Sequence, residues 1–92
     1  MRSQSEKAEA FKAMHSNGCF VIPNPWDVGS ARMLVGMGFQ ALATTSQGYA
    51  NSIGVLDYEL TRDQKLDHCR ALCAGVDVPI AADLENGYGH AP

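Results

Sequence analysis

The sequence predicts an α/β fold in which amphipathic helices alternate with short apolar strands. Three apolar runs of strand length are separated by segments with helical spacing. Each connection is long enough to carry the chain back to the same edge of a sheet, as a parallel, right-handed crossover requires. Continuous apolar strands are typical of sheets that helices cover on both faces. We therefore expect a helix followed by strand, helix, strand, helix and strand.

Composition narrows the class of protein. The 92 residues are 46% hydrophobic and 18% charged, which indicates a globular, soluble chain of one domain at most. A net charge of -3 without a basic stripe argues against nucleic-acid and membrane-surface partners. The apolar runs are too short to span a bilayer. Three cysteines, Cys19, Cys69 and Cys73, lack the spacing of a disulfide scaffold, so we expect a cytoplasmic protein.

The chain opens with a predicted helix and a predicted strand. Ser3 and Glu6 have the spacing of a capping box, and Gly18 supplies a left-handed helix stop. Residues 19–22 then form a continuous apolar run, which predicts a strand covered on both faces and leads us to expect Cys19 in the core.

A second helix and strand follow. Asp27 is a favourable N-cap, and Gly38 closes the helical segment. Residues 39–45 are the next candidate strand. The helical spacing rests on four apolar residues: Val28, Ala31, Leu34 and Val35.

Residues 46–59 show no clear period and predict a long loop. Compact domains seldom keep a loop of more than about 12 residues unless it binds or gates something. We therefore regard it as a functional candidate, with a disordered surface excursion as the alternative.

The third helix begins at Thr61, whose capping-box partner is Gln64. Residues 77–79 form the turn into the last strand, which starts at Ile80. We interpret the two helical cysteines as core residues rather than zinc ligands, because two thiolates and an outward histidine do not complete a tetrahedral site. The predicted apolar face consists of Leu66, Cys69, Leu72, Cys73 and Val76.

The last strand delivers two carboxylates to one face. In an extended strand Asp83 and Glu85 point the same way, while Leu84 points the other way. Like charges held close together repel, and a hard divalent ion such as Mg²⁺ removes that cost. The alternative is a polar strand end with solvated acids. Nearby, Tyr88 and His90 are candidates for ligand contacts or for ordinary loop positions.

Several motifs together resemble the isocitrate lyase and phosphoenolpyruvate mutase family, from Phe11 onward. They are PNPWDVGSA at residues 23–31, ATTS at 43–46, Asp57 ahead of TRD at 61–63, and DLENGYG at 83–89. The resemblance implies a (β/α)₈ TIM barrel with its active site at the carboxyl ends of the strands. Residues 1–92 would then be a single partial domain that supplies the first three β/α units.

The resemblance also implies roles for individual residues. Asp83 and Glu85 match the metal-associated acids after the third strand, and Asp57 matches an acid that reaches the metal region, often through water. The ion would be Mg²⁺, with Mn²⁺ as a substitute. Glu85 stands where the mutases carry Asp, which makes a phosphonomutase less expected. The turn that would hold the substrate's carboxylate or phosphonate consists of Thr45, Ser46, Gln47 and Gly48.

The implied activity is a Mg²⁺-dependent carbon-carbon bond lyase acting on a small 2-oxo or 2-hydroxy dicarboxylic acid. A complete barrel takes about 250 residues, and the family's catalytic loop follows a later strand. We therefore expect either the front portion of an enzyme or a truncated relative without turnover. The alternative is a truncated, non-catalytic module that self-associates or binds a partner. In either case we expect a homo-oligomer, because an open parallel sheet has unpaired edges. A third possibility is a different phosphate- or aldol-type barrel enzyme that shares only the architecture.

Overall fold

The computed structural model describes residues 1–89, so His90 and the final two residues lie outside the described part of the chain. A single-turn 3₁₀ helix, Asp57–Glu59, precedes the last helix. The elements are α1 (Gln4–Met14), α2 (Val28–Gly36), β1 (Leu42–Ala43), α3 (Ser46–Ser52), α4 (Arg62–Gly75) and β2 (Ile80–Ala81).

The two strands confirm the predicted parallel α/β arrangement. β1 and β2 are parallel neighbours, with Leu42 opposite Ile80 and Ala43 opposite Ala81. Both are shorter than the predicted strands at 39–45 and 80–85. Within residues 1–89 the sheet has these two strands and no third.

The prediction of a first strand at residues 19–22 is wrong. This run has no regular secondary structure, Cys19 is exposed and not in the core, and Val21 is 68% exposed. Hydrogen bonding to β1 starts only after the apolar run, where the Ala43 amide donates to the Pro23 carbonyl at 3.0 Å. The Asn24 side chain adds a bond to the Ala43 carbonyl, also at 3.0 Å. The segment thus touches the sheet edge without forming a ladder.

The prediction of an irregular loop over residues 46–59 is also wrong. α3 begins directly after Thr45, whose hydroxyl accepts from the Gly48 amide at 3.3 Å. The helix has no apolar period because its buried positions are small residues, including Gly48 and Ala50. Small side chains allow close packing but leave no hydrophobic signal in the sequence.

The helix starts agree with the predicted capping residues. Each N-cap side chain accepts a hydrogen bond from the backbone amide three residues later, which satisfies one of the donors that a helix start leaves free. The pairs are Ser3 with Glu6 at 3.1 Å, Asp27 with Ser30 at 2.7 Å, and Thr61 with Gln64 at 3.1 Å.

The core lies where α2 and α4 pack against the sheet. Its fully buried members are Ala31, Leu42 and Leu72. The predicted face of α4 is confirmed at Leu72 and Val76, whereas the other three members are only half-buried. None of the helices within residues 1–89 has the length and apolar character needed to cross a membrane. α4 also buries two polar side chains that were not part of its predicted apolar face, Lys65 and His68.

Candidate acidic site

The carboxyl ends of β1 and β2 bring together the two groups of predicted site residues. The Asp83 amide donates to the Thr44 hydroxyl at 2.8 Å, which ties the chain after β2 to the end of β1. The Ser46 hydroxyl donates to the Glu85 carboxylate at 3.3 Å. The predicted substrate turn and two of the predicted metal acids are therefore neighbours.

The segment 83–88, here called the acidic turn, does not continue the strand. β2 ends at Ala81, and Glu85 has a φ of 51°. The expectation that Asp83 and Glu85 share one face of an extended strand is therefore wrong. A turn brings them together instead, since the Glu85 amide donates to the Asp83 carboxylate at 3.1 Å. Tyr88 also has a positive φ of 63°, which is unusual for a residue with a side chain.

Asp57 and Tyr88 bring two more polar atoms to the site. The Asp57 Oδ1 atom and the Tyr88 hydroxyl are buried and have no hydrogen-bond partner among residues 1–89. Burial raises the pKa of Tyr88, and the negative charges of Glu85, Asp83 and Asp57 raise it further. The tyrosine is therefore a neutral hydroxyl in a negative environment.

The acids fit a divalent ion in their chemistry. Carboxylate oxygens are the ligands that Mg²⁺ prefers, and the buried Asp57 Oδ1 is a free acceptor as far as residues 1–89 show. In that same part of the chain, no three His, Cys, Asp or Glu side chains are grouped closely enough to hold an ion. The metal set of Asp57, Asp83 and Glu85 therefore stays a prediction.

The predicted substrate turn forms the first residues of α3. Ser46 and Gly48 are buried, while Gln47 is exposed. An added Cβ at Gly48 would collide with the indole ring of Trp26 and the methyl group of Thr45. Glycine is thus required there because the Trp26 ring packs directly on the backbone.

Sequence reasoning missed the roles of Lys65 and His68. The His68 ring stacks on Tyr49 with centroids 3.8 Å apart, and its Nε2 atom lies 2.9 Å from the Trp26 carbonyl oxygen. Burial lowers the pKa of His68, so the ring is held neutral. The signal was present in the helical spacing, since Lys65 and His68 share a face of α4 with buried Leu72.

The molecule also has a cavity that is not lined by the acidic turn. It has a volume of about 700 Å³ and lies between α1 and the segment after α2, with Met14 and Phe39 in its wall. Its lining within residues 1–89 includes no carboxylate. This cavity therefore offers none of the carboxylates that the predicted metal site requires.

A parallel sheet that carries acids just beyond the carboxyl ends of its strands is the arrangement of α/β enzymes. Residues 11–92 match the family model described as phosphoenolpyruvate phosphomutase, and the chain belongs to this family. The predicted family is therefore confirmed.

Two curated relatives show how much of the family this chain represents. An uncharacterized protein of Mycobacterium tuberculosis is 38% identical over 85 residues, which cover 90% of this chain and 33% of the relative. The 2-methylisocitrate lyase of Halalkalibacterium halodurans is 28% identical over 90 residues, covering 96% of this chain and 30% of the enzyme. The chain thus spans about a third of the length of these relatives.

Solved structures give the same result. A Burkholderia cenocepacia protein with a provisional lyase/mutase assignment superposes on this chain with a TM-score of 0.92 and is 55% identical to it. The match covers 96% of this chain and 32% of the Burkholderia chain. A 2,3-dimethylmalate lyase, described as a member of the PEP mutase/isocitrate lyase superfamily, superposes with a TM-score of 0.75 at 28% identity. The match covers 92% of this chain and 31% of the lyase. The described α/β arrangement is therefore that of this superfamily.

Proposed function

We propose that this chain provides part of the active site of a Mg²⁺-dependent carbon-carbon bond lyase. The substrate would be a small 2-oxo or 2-hydroxy dicarboxylic acid, and the complete fold would be a TIM barrel. The observation that carries the proposal is the pair of hydrogen bonds that join the acidic turn to β1 and α3, through Asp83 to Thr44 and Ser46 to Glu85. They bring the predicted ion-binding acids next to the predicted substrate turn.

Two of the relatives support a lyase activity, although the family model itself is named for a phosphomutase. The 2-methylisocitrate lyase and the 2,3-dimethylmalate lyase are both named for the cleavage of small organic acids. The family resemblance implies that the mutases carry Asp at the position of Glu85, so this residue argues against a phosphonomutase and is compatible with lyase-like and hydrolase-like relatives. Because the chain spans about a third of these enzymes, the activity belongs to the proposal for the whole protein.

The residues of this chain would act by positioning. The Ser46 hydroxyl fixes the Glu85 carboxylate, and the Asp83 carboxylate holds the turn through the Glu85 amide. Asp57, Asp83 and Glu85 would hold the ion. When bound, Mg²⁺ supplies Lewis-acid stabilisation for negative charge that develops on the organic acid. Exposed Gln47 offers an amide donor to the substrate's carboxylate.

Oxalate tests the proposal because it mimics the enolate of pyruvate. Calorimetry measures the affinity of the full-length protein for oxalate, with and without Mg²⁺. We expect Mg²⁺ to tighten oxalate binding at least tenfold, about 1.4 kcal/mol, and Asp83→Asn to remove most of that gain. Asp67→Asn is the matched control, since Asp67 is exposed on α4 and pairs with Arg70. Identical oxalate affinity with and without Mg²⁺ would contradict the proposal.

A further inference from the structure

Two lysines of this chain are buried. Within residues 1–89, only one of them has hydrogen-bond acceptors for its ammonium group. Lys7 is 6% exposed, and its ammonium donates to the carbonyls of Cys73 and Val76, each at 3.0 Å. Lys65 is fully buried, and its ammonium has no acceptor in that part of the chain. A buried charge without hydrogen bonds is costly, so the position of Lys65 needs a compensating interaction.

The acidic turn covers Lys65. The lysine lines a cavity of about 190 Å³ together with Leu84, Gly87 and Tyr88. The Tyr88 hydroxyl is likewise without a partner among the residues described. Arg62 is the other cationic residue in this wall, but its side chain is 68% exposed and lies 3.6 Å from Asp63. Lys65 is thus the fully buried cation beneath the acidic turn.

The charges that act on Lys65 include the predicted metal acids. Burial lowers the pKa of Lys65. The negative charges of Asp83, Glu85 and Asp57 oppose this effect, whereas Cys69 contributes only where its thiol ionises, because burial raises the pKa of that thiol. The three carboxylates therefore compensate part of the cost of burying the ammonium. Conversely, the ammonium offsets part of the mutual repulsion of the carboxylates.

We propose that the Lys65 ammonium is the resident counter-charge of the acidic turn and that it lowers the affinity of the site for divalent ions. The inference rests on the proposed metal site and adds a residue that sets how tightly that site binds. The physical reason is that a fixed positive charge beneath the carboxylates repels an incoming dication and is poorly screened by salt when it is buried. The site would then release its ion more readily than its three carboxylates alone would allow.

Calorimetric titration with Mn²⁺ tests the inference on the protein as its gene encodes it. Lys65→Met removes the charge and keeps an apolar stem of similar length. We expect it to bind Mn²⁺ at least about tenfold more tightly than the wild type. Lys7→Met is the matched control, because it removes the same charge near the other end of α4. Its Mn²⁺ affinity should change much less than that of Lys65→Met. Lys7 is bound near the other end of α4, about 12 Å of helix rise from Lys65, and the Coulomb energy falls with distance.

The outcomes separate this inference from the proposed function. Equal Mn²⁺ affinity in the wild type and Lys65→Met overturns the inference and leaves the metal site standing. Absence of Mn²⁺ binding in every variant overturns both. Lys65→Gln removes the charge but keeps a polar end, so it provides the same test if the methionine variant does not fold, and it should also bind at least about tenfold more tightly.

Discussion

The two ends of helix α4 hold a buried lysine in opposite ways. Near the carboxyl end, Lys7 reaches across from α1 and donates to two backbone carbonyls. Near the amino end, Lys65 is more deeply buried but has no acceptor among residues 1–89. Two turns of helix, about 12 Å of rise, separate Lys65 from Cys73, which binds Lys7.

The difference separates a structural contact from a candidate site. Lys7 acts as a bridge, because its hydrogen bonds satisfy carbonyls at the end of α4 and dock α1 beside them. Arg2 reinforces that end by donating to Asp77 through its backbone amide, at 2.7 Å. Near the other end, one side-chain atom each of Asp57, Lys65 and Tyr88 is buried and lacks a hydrogen-bond partner within the described chain. Unsatisfied polar groups that gather at one place are typical of a binding site.

Replacing each lysine in turn gives the largest contrast in stability. We expect Lys7→Met to lower the free energy of unfolding by about 3 kcal/mol, because it leaves two buried carbonyls without a donor. Lys65→Met should change it by less than about 1 kcal/mol or raise it, because it removes a buried charge that has no hydrogen bond in residues 1–89. Urea denaturation of the two variants measures the contrast. A larger loss for Lys65→Met would refute it.

A substitution at Gly48 tests whether the substrate turn depends on close packing. Gly48→Ala should cost about 2 kcal/mol, because the new methyl group meets the Trp26 ring and the Thr45 methyl group. Gly36→Ala is the control within α2, where an added Cβ meets nothing within 4 Å. It should stabilise the protein by up to about 1 kcal/mol through the unfolded state. Thermal denaturation distinguishes them, and equal effects would mean that Gly48 is not held against Trp26.

The smallest expected effect is a pH dependence that originates at His68. Burial keeps its pKa below the ordinary value of about 6.5 that applies in the unfolded chain. Between the folded and unfolded pKa values the unfolded state therefore binds more protons, so stability falls as the pH falls through that window. Protonation would also place a donor on Nδ1, which has no partner in the described structure.

The measurement is the difference in unfolding free energy between the wild type and His68→Gln across pH 7 to 5. Glutamine retains an amide donor for the Trp26 carbonyl but does not titrate in this range. The wild type should lose more stability than the variant on acidification. Parallel pH profiles would show that the ring is not held neutral in the folded state.

Local rules predicted the parts of the fold that depend on neighbouring residues. The capping residues Ser3, Asp27 and Thr61 lie where their helices begin, because each side chain satisfies an amide three residues later. The family was also recognisable from the motifs at residues 23–31 and 83–89. The spacing of these motifs is characteristic of the family as a whole rather than of a single helix or strand.

Prediction from neighbouring residues failed where packing between distant segments determines the structure. The apolar run at residues 19–22 looked like a covered strand, but a strand exists only where a neighbour offers a ladder, and here the bonding starts at Pro23. α3 was invisible because its buried residues are small. Asp83 and Glu85 do lie close together, but the predicted reason is wrong, since a turn and not an extended strand joins them.

The sequence by itself determined the α/β class, the starts of α1, α2 and α4, and the family, because capping, periodicity and motif spacing are properties of neighbouring residues. Only the tertiary structure decided the burial of Lys65 and His68 and the contact between Ser46 and Glu85. The physical reason is that a charged residue on a helix is normally solvated, and its burial depends on which distant segment covers it. Here that segment is the acidic turn, which follows Lys65 by about twenty residues.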